Sequence, residues 1–235
     1  MTQGILIAIE GIDGAGKTTQ VQLIREFLEA HGQQCVTSKE PTDGQWGRAI
    51  RATAASGRLP LEDELELFVK DRKEHIAQLI NPALNDDKIV ILDRYFYSTI
   101  AYQGSRGAAW KRGEQMMDFA LVPDATIILD AETGITLDRI RDGRGEQPNE
   151  FEKQSSLDLC RKVFRSLGHR PEVHFVDATN SVENVQASIL QILLDGPLKA
   201  KRCGKQYGCD GLYCSLRQSS TCQWALLQEA APQRI

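Results

Sequence analysis

The stretch Ile5-Leu6-Ile7-Ala8-Ile9-Glu10-Gly11-Ile12-Asp13-Gly14-Ala15-Gly16-Lys17-Thr18-Thr19 decides the fold. Its first residues form a short apolar run, the mark of a strand buried on both faces of a parallel sheet. Gly11 to Thr18 then match the pattern G-x-x-x-x-G-K-[ST], and Val21, Ile24 and Leu28 recur at helical spacing immediately afterwards. Strand, glycine loop and helix in that order make a phosphate cradle. The glycines let several backbone N–H groups converge on one anion, and the helix adds its positive N-terminal end. Gly11, Gly14, Ala15, Gly16, Lys17, Thr18 and Thr19 are therefore assigned to ATP, with Lys17 as the charge on the β/γ oxygens and the Thr18 hydroxyl as a ligand for Mg²⁺.

Outward from this stretch, four more short apolar runs alternate with helical periodicity: Gln34–Lys39, Lys88–Asp93, Ala125–Asp130 and Glu172–Asp177. Strands alternating with helices predict a three-layer α/β fold, a five-stranded parallel sheet flanked by helices. A long helix over 61–81 is expected to end or kink near Asn81-Pro82. The periodicity stops at Asp195-Gly196-Pro197, which divides the chain into a domain at 1–197 and an extension at 198–235.

Composition restricts the function classes. With 41% hydrophobic and 26% charged residues the 235-residue chain reads as globular rather than disordered, and no apolar stretch approaches the roughly 18 residues of a membrane span. The N-terminus shows no signal-peptide pattern, so a cytoplasmic location is expected. The extension carries six Lys/Arg against two acids in a chain of net charge −4, and four of the six cysteines. In a reducing compartment Cys203, Cys209, Cys214 and Cys222 point to metal, with zinc the first candidate by thiolate count. Their spacing does not follow the usual C-x₂₋₄-C knuckles. An iron–sulfur cluster or paired thiols are the competing assignments.

A carboxylate should face Thr18 across the loop, and two acids end apolar strands: Asp93 and Asp130. Asp93 is preferred for Mg²⁺, through water, because Arg94 follows it and offers a guanidinium fork to a second phosphate. Asp130 is assigned a structural role.

With the glycine loop, the segments Lys39-Glu40-Pro41, Leu67-Phe68-Val69-Lys70-Asp71-Arg72, Asp93-Arg94-Tyr95, Ala101-Tyr102-Gln103-Gly104 and Val176-Asp177-Ala178-Thr179 occur in an order that resembles the thymidylate kinase family. The resemblance spans roughly residues 4 to 194. It implies the P-loop NTPase fold with a mobile lid, placed at about 141–152, and the reaction of dTMP with ATP to give dTDP and ADP, on the way to dTTP. It also implies a homodimer; separately, the absence of an apolar span gives no support for a membrane partner, and the basic extension is compatible with a nucleic-acid or partner-binding module, though a nucleic-acid partner is not the expected one. By the same resemblance, Phe68 and Arg72 hold the thymine ring and Gln103 contacts the base. Tyr102 lies under the deoxyribose, Asp13 near the 3′-hydroxyl, Glu40 at the acceptor and Arg139 against the adenine. Catalysis falls to Lys17, Arg94, Asp13 and a lid arginine, for which Arg144 fits best and Arg139 and Arg141 compete. Asn149-Glu150-Phe151-Glu152 departs from the family's usual lid, and Lys39 stands where arginine is frequent.

Residue chemistry fits that expectation. Arg72 would donate to thymine O4, where cytosine presents a second donor, and the Gln103 amide is suited to N3–H. Core packing for Phe68 and Tyr102 is the plainer alternative. Three other functions compete: phosphorylation of a 5-modified deoxyuridylate, a deoxynucleoside kinase using Glu40 as base, and a P-loop switch or binding module.

Overall fold

The computed structural model describes residues 4–57, 59–106, 110–144 and 154–200. Five strands, β1 (Ile5–Glu10), β2 (Cys35–Lys39), β3 (Ile89–Asp93), β4 (Ala125–Asp130) and β5 (Val173–Asp177), form one sheet in the order β2-β3-β1-β4-β5. Every pairing is parallel. The expected α/β three-layer architecture is therefore the observed one, with each strand within a residue of its predicted start.

The period of two along β1 builds both halves of the core. Leu6 and Ala8 face one apolar cluster, with Val90, Leu92 and Ile128, whereas Ile5, Ile7 and Ile9 face the other, with Ile89, Ile91 and Ile127. Helix α1 (Lys17–Ala30) covers the second face through Val21, Ile24 and Leu28, joined by Val185, Ile189 and Leu193 from α9 (Val182–Asp195). The first face is covered by α5 (Phe96–Gly104) through Tyr97 and Ile100, and by α8 (Gln154–Ser166) through Leu157 and Phe164. Ile76, Ile80 and Leu84 fill the same face from the long helical segment before β3. Helices α2 (Gln45–Ser56), α6 (Trp110–Met116) and α7 (Thr133–Arg144) complete the described body.

Two boundaries differ from expectation. Helix α3 (Leu61–His75) does not stop at Asn81-Pro82; it passes through a π-helical turn, Ile76–Ile80, into α4 (Asn81–Asn85). The Asn81 N–H bonds Ile76 O, and Pro82 falls in the first turn of α4, where a missing N–H costs little. At the other boundary α9 ends at Asp195 as expected, but Pro197–Ala200 form a further turn, α10, whose Leu198 is buried in the second cluster. The body thus reaches past Pro197. The part of the expected lid beyond Arg144 and the cysteines of the extension lie outside the described residues.

Order β2-β3-β1 brings the C-terminal ends of β1 and β3 together, with Ile9 paired to Asp93. The glycine loop and the Asp93-Arg94 pair consequently emerge side by side, where ligands bind in open α/β sheets. Helix α2 packs so closely on the loop after β2 that a Cβ on Gly47 would stand 1.9 Å from Thr42 O. Gly47→Ala should therefore lose about 1–3 kcal/mol, read as a lower urea midpoint at unchanged slope.

Candidate active site

The glycine loop takes the conformation its composition predicts. Gly14 and Gly16 lie at φ 79° and 94°, in the region L-residues avoid, and a Cβ on Gly14 would meet Thr136 O at 2.3 Å. Lys17, on the first turn of α1, folds back so that Nζ donates to Ile12 O at 2.8 Å. Burial lowers the pKa of this ammonium to about 8, further lowered by Arg94 and offset by Asp13, Asp93 and Glu10. An incoming polyphosphate would raise it again. Thr18 donates its hydroxyl to Asp93 Oδ2 at 2.5 Å, so the proposed magnesium groups are already neighbours, and two hard oxygens beside a phosphate cradle suit Mg²⁺. Asp130 is taken by Arg161, which donates from both Nε and Nη2, in keeping with a structural role.

Arg94 stands at the centre. Its φ is 71°, strained for a non-glycine residue, while its N–H donates to Ile9 O. This turn sends the guanidinium back over the loop, where Nη1 donates to Gly11 O and Ser98 Oγ and Nη2 donates to Asp13 Oδ1 at 2.6 Å. Tyr102 donates its hydroxyl to Asp13 Oδ2 at 2.8 Å and accepts from Asp13 N–H. Burial keeps the Tyr102 phenol protonated, well above its ordinary range. Burial opposes the charge of Arg94, but Tyr102, Asp13, Asp93 and Glu10 outweigh it and raise its pKa. Three predicted residues, Asp13, Arg94 and Tyr102, thus form one assembly.

A second assembly joins α3 to α5. Arg72 is 1% exposed and donates from Nε and Nη2 to Glu40 Oε2, at 2.8 and 2.5 Å, and from Nη2 to Thr99 Oγ1. His75 donates from Nδ1 to Glu40 Oε1 at 2.9 Å. Glu40, which the sequence placed at the acceptor, thus has both carboxylate oxygens engaged by Arg72 and His75. Gln103, 1% exposed, donates from Nε2 to Glu64 Oε1 at 2.8 Å. Phe68 lies between Glu64 and Arg72 on α3, half-buried against the first cluster.

The basic residues of α7 are more dispersed. Arg139 donates from Nη1 to Ala178 O at 2.9 Å, which joins α7 to the Val176–Thr179 segment. Arg141 is exposed beside Asp138. Arg144 closes α7, and its side chain lies outside the described set. Among the described residues no group of three or more His, Cys, Asp or Glu could hold a metal by itself. No described helix is long and apolar enough to cross a membrane.

Sequence reasoning missed four supporting residues: Glu10, Ser98, Glu64 and His75. Glu10 is wholly buried and accepts from Tyr95 N–H, Ser98 N–H and the Ser98 hydroxyl. Burial raises its pKa to about 7 although the Ser98 hydrogen bond and Arg94 act in the opposite direction. The available signal was positional, since Glu64, Phe68 and Arg72 are spaced by four and His75 follows on the same inward face of α3.

A phosphate loop, an adjacent Thr-Asp pair and an arginine poised over both define a P-loop phosphotransferase. Comparison with known proteins narrows the class. A family model described as thymidylate kinase matches residues 9–189. The thymidylate kinase of Xanthomonas campestris pv. campestris (strain B100) is 48% identical over 182 residues, 77% of this chain and 79% of that protein. The one from Xanthomonas euvesicatoria pv. vesicatoria (strain 85-10) is also 48% identical, over 77% of this chain and 80% of its own length. That of Xylella fastidiosa (strain M12) is 41% identical over 192 residues, 82% of this chain and 88% of its own. The chain belongs to the thymidylate kinase family and is a phosphotransferase.

The Glu40–Arg72 pair carries a stability prediction. Burial pushes the Glu40 pKa up, but Arg72 and then His75 outweigh it and hold it below 4.5. A depressed folded pKa contributes stability that is present above about 4.5 and lost as pH falls through the folded value. Glu40→Gln should cost about 3–5 kcal/mol at pH 7 by stranding a buried guanidinium, and the difference from the native protein should shrink below pH 4.5 in denaturant melts.

Proposed function

We propose that the site transfers the γ-phosphoryl group of ATP to the 5′-phosphate of dTMP, giving dTDP and ADP. The observation that carries this reading is the joined Asp13–Arg94–Tyr102 assembly, poised above the glycine loop beside the buried Arg72–Gln103 edge. An acceptor phosphate oxygen forms the new bond to the γ-phosphorus while the bond to the β–γ bridging oxygen breaks. The acceptor is already anionic, so no base is required, and catalysis rests on positioning and charge neutralisation.

In this reading Gly11, Gly14, Ala15, Gly16, Lys17, Thr18 and Thr19 hold the ATP phosphates, and Arg139 lies against the adenine. Thr18 and, through water, Asp93 would hold Mg²⁺, which neutralises phosphate charge when bound. Arg94 has donors enough to engage the acceptor phosphate, with Asp13 beside the 3′-hydroxyl and Tyr102 under the sugar. Phe68, Arg72 and Gln103 read the thymine. Arg144 is the lid arginine of choice for the transferring group. Glu40 acts on the acceptor only through Arg72, and its engagement there argues against a deoxynucleoside kinase, which would need that carboxylate free for a 5′-hydroxyl. A cytoplasmic homodimer completes the proposal.

Two experiments test it. Lys17→Ala should lower kcat by at least about 10²-fold with the fold retained, and Arg94→Ala should raise KM for dTMP more than it weakens ATP binding. These are read in a coupled assay over dTMP, dUMP, 5-hydroxymethyl-dUMP, dCMP and dGMP. Full activity of the Lys17 variant, or preference for another acceptor, would refute the assignment. For the extension, the four thiols of Cys203, Cys209, Cys214 and Cys222 support a structural zinc independent of transfer. Elemental analysis of anaerobically purified protein should find about one zinc per chain, lost in Cys209→Ser while dTMP phosphorylation persists. Metal-free protein would overturn this assignment alone.

A further inference from the structure

Gln103 has an unused end. Its Oε1 is buried and has no hydrogen-bond partner among the described residues, while Nε2 is committed to Glu64. An ionised carboxylate only accepts, so the amide must turn its NH₂ towards Glu64 and its carbonyl away. Glu64 cannot readily change this. It is wholly buried, its Oε2 accepts from Arg106 Nη1 at 3.0 Å, and Arg106 Nη2 is itself tied to Leu59 O.

Where the free carbonyl lies follows from two contacts between the helices. Gln103 on α5 meets Glu64 on α3, and Thr99, one turn earlier on α5, meets Arg72, two turns later on α3. Phe68 sits midway between Glu64 and Arg72. The gap between the helices is thus bounded by an aromatic ring, a donor at Arg72 and an acceptor at Gln103. An unpaired buried acceptor is costly, and a ligand that brings a donor recovers the loss.

We propose that Glu64, braced by Arg106, fixes the hydrogen-bond polarity of Gln103, so that the pocket presents one acceptor and one donor to the base. Glu64 is a positioning residue for acceptor selection. The inference rests on the dTMP reading above. It specifies the ligand class as pyrimidines with a 4-oxo group next to an N3–H, and it excludes a base whose N3 carries a lone pair. Substituents at C5 are outside its reach.

The discriminating probe is 5-methyl-2′-deoxyisocytidine 5′-monophosphate, which keeps O4 and the methyl group but has an unprotonated N3. Native enzyme should use dTMP at least about 10²-fold better than this analogue in kcat/KM. Glu64→Gln lets both amides rotate, so the ratio should fall at least tenfold, mainly through KM, with ATP affinity unchanged. Glu64→Asp keeps an acceptor-only partner and should retain the native ratio even if its activity drops. Glu64→Asn, a shorter amide with the same freedom of polarity, should narrow the ratio in the same direction and serves if Glu64→Gln fails to fold, whereas Arg106→Ala leaves the carboxylate in place and should retain the ratio. Equal losses on both acceptors in Glu64→Gln, or in Glu64→Asn where that variant stands in, or a Glu64→Asp ratio as relaxed as that of Glu64→Gln, would overturn the proposal in favour of a packing role. Native enzyme indifferent to the probe would also overturn it while dTMP phosphorylation stood; failure to phosphorylate dTMP at all would instead refute the underlying function.

Discussion

The turn at Arg94 is the constraint on which the site depends. Its backbone enters the left-handed region directly after β3, and such strain of about 1–3 kcal/mol persists only where the surroundings over-determine it. Here the surroundings are electrostatic. Glu10, the last residue of β1, accepts two N–H groups from the start of α5, and so acts as a distant cap for that helix. The same carboxylate takes the Ser98 hydroxyl, whose oxygen accepts from Arg94. One acid therefore fixes the strand end, the helix start and the guanidinium. Replacing the turn by relaxed backbone would point Arg94 away from Gly11 and Asp13.

A second layer of order comes from α3, whose inward face carries more charge than an amphipathic helix ordinarily buries. Adjacent residues divide the work there. Asp71 accepts Thr42 N–H and the Thr42 hydroxyl, clamping the loop after β2, while Arg72 takes Glu40 from the same loop. Because both anchors lie on one helix turn, the loop and the proposed base-reading guanidinium are tied to the same part of α3. His75 adds a third tie through Glu40 and faces the Ser38 hydroxyl from Nε2. The arrangement offsets the burial of Arg72 with acceptors for Nε, both Nη2 hydrogens and, through Met117 Sδ, one Nη1 hydrogen, which leaves one Nη1 hydrogen for a ligand.

Most of the fold was legible because its signals are local. Ile5–Glu10 and Ala125–Asp130 are continuous apolar runs ended by acids, and each is a strand with those bounds. The glycine loop was legible for the same reason, as its residues are contiguous. What escaped were partners distant in sequence. Glu40 looks like a free acid in Lys39-Glu40-Pro41, and only the packing of α3 shows that Arg72 and His75 consume it. The π turn before Pro82 was invisible because it is a hydrogen-bond register shift rather than a composition. Glu64 and Glu10 carry no motif; for Glu64 the spacing by four with Phe68 and Arg72 was the available clue, and for Glu10 its place at the end of an apolar strand.

These hidden carboxylates share a logic. Glu10 holds Arg94 through Ser98, Glu40 holds Arg72 and Glu64 holds Gln103, so three of the side chains proposed to meet the acceptor have a buried acid behind them. An ionised carboxylate suits that position because it accepts without donating, a condition met by Glu40, which Arg72 and His75 hold ionised against its burial. Flexible donors backed by water would have to be reorganised whenever a substrate arrived. Donors backed by buried acids meet the substrate in a geometry already settled during folding, so the cost of ordering them falls on stability rather than on binding. Gln103 shows the consequence most directly. Its one unsatisfied oxygen is stabilising only when a ligand supplies the missing donor, which converts a defect of the free protein into selectivity of the complex.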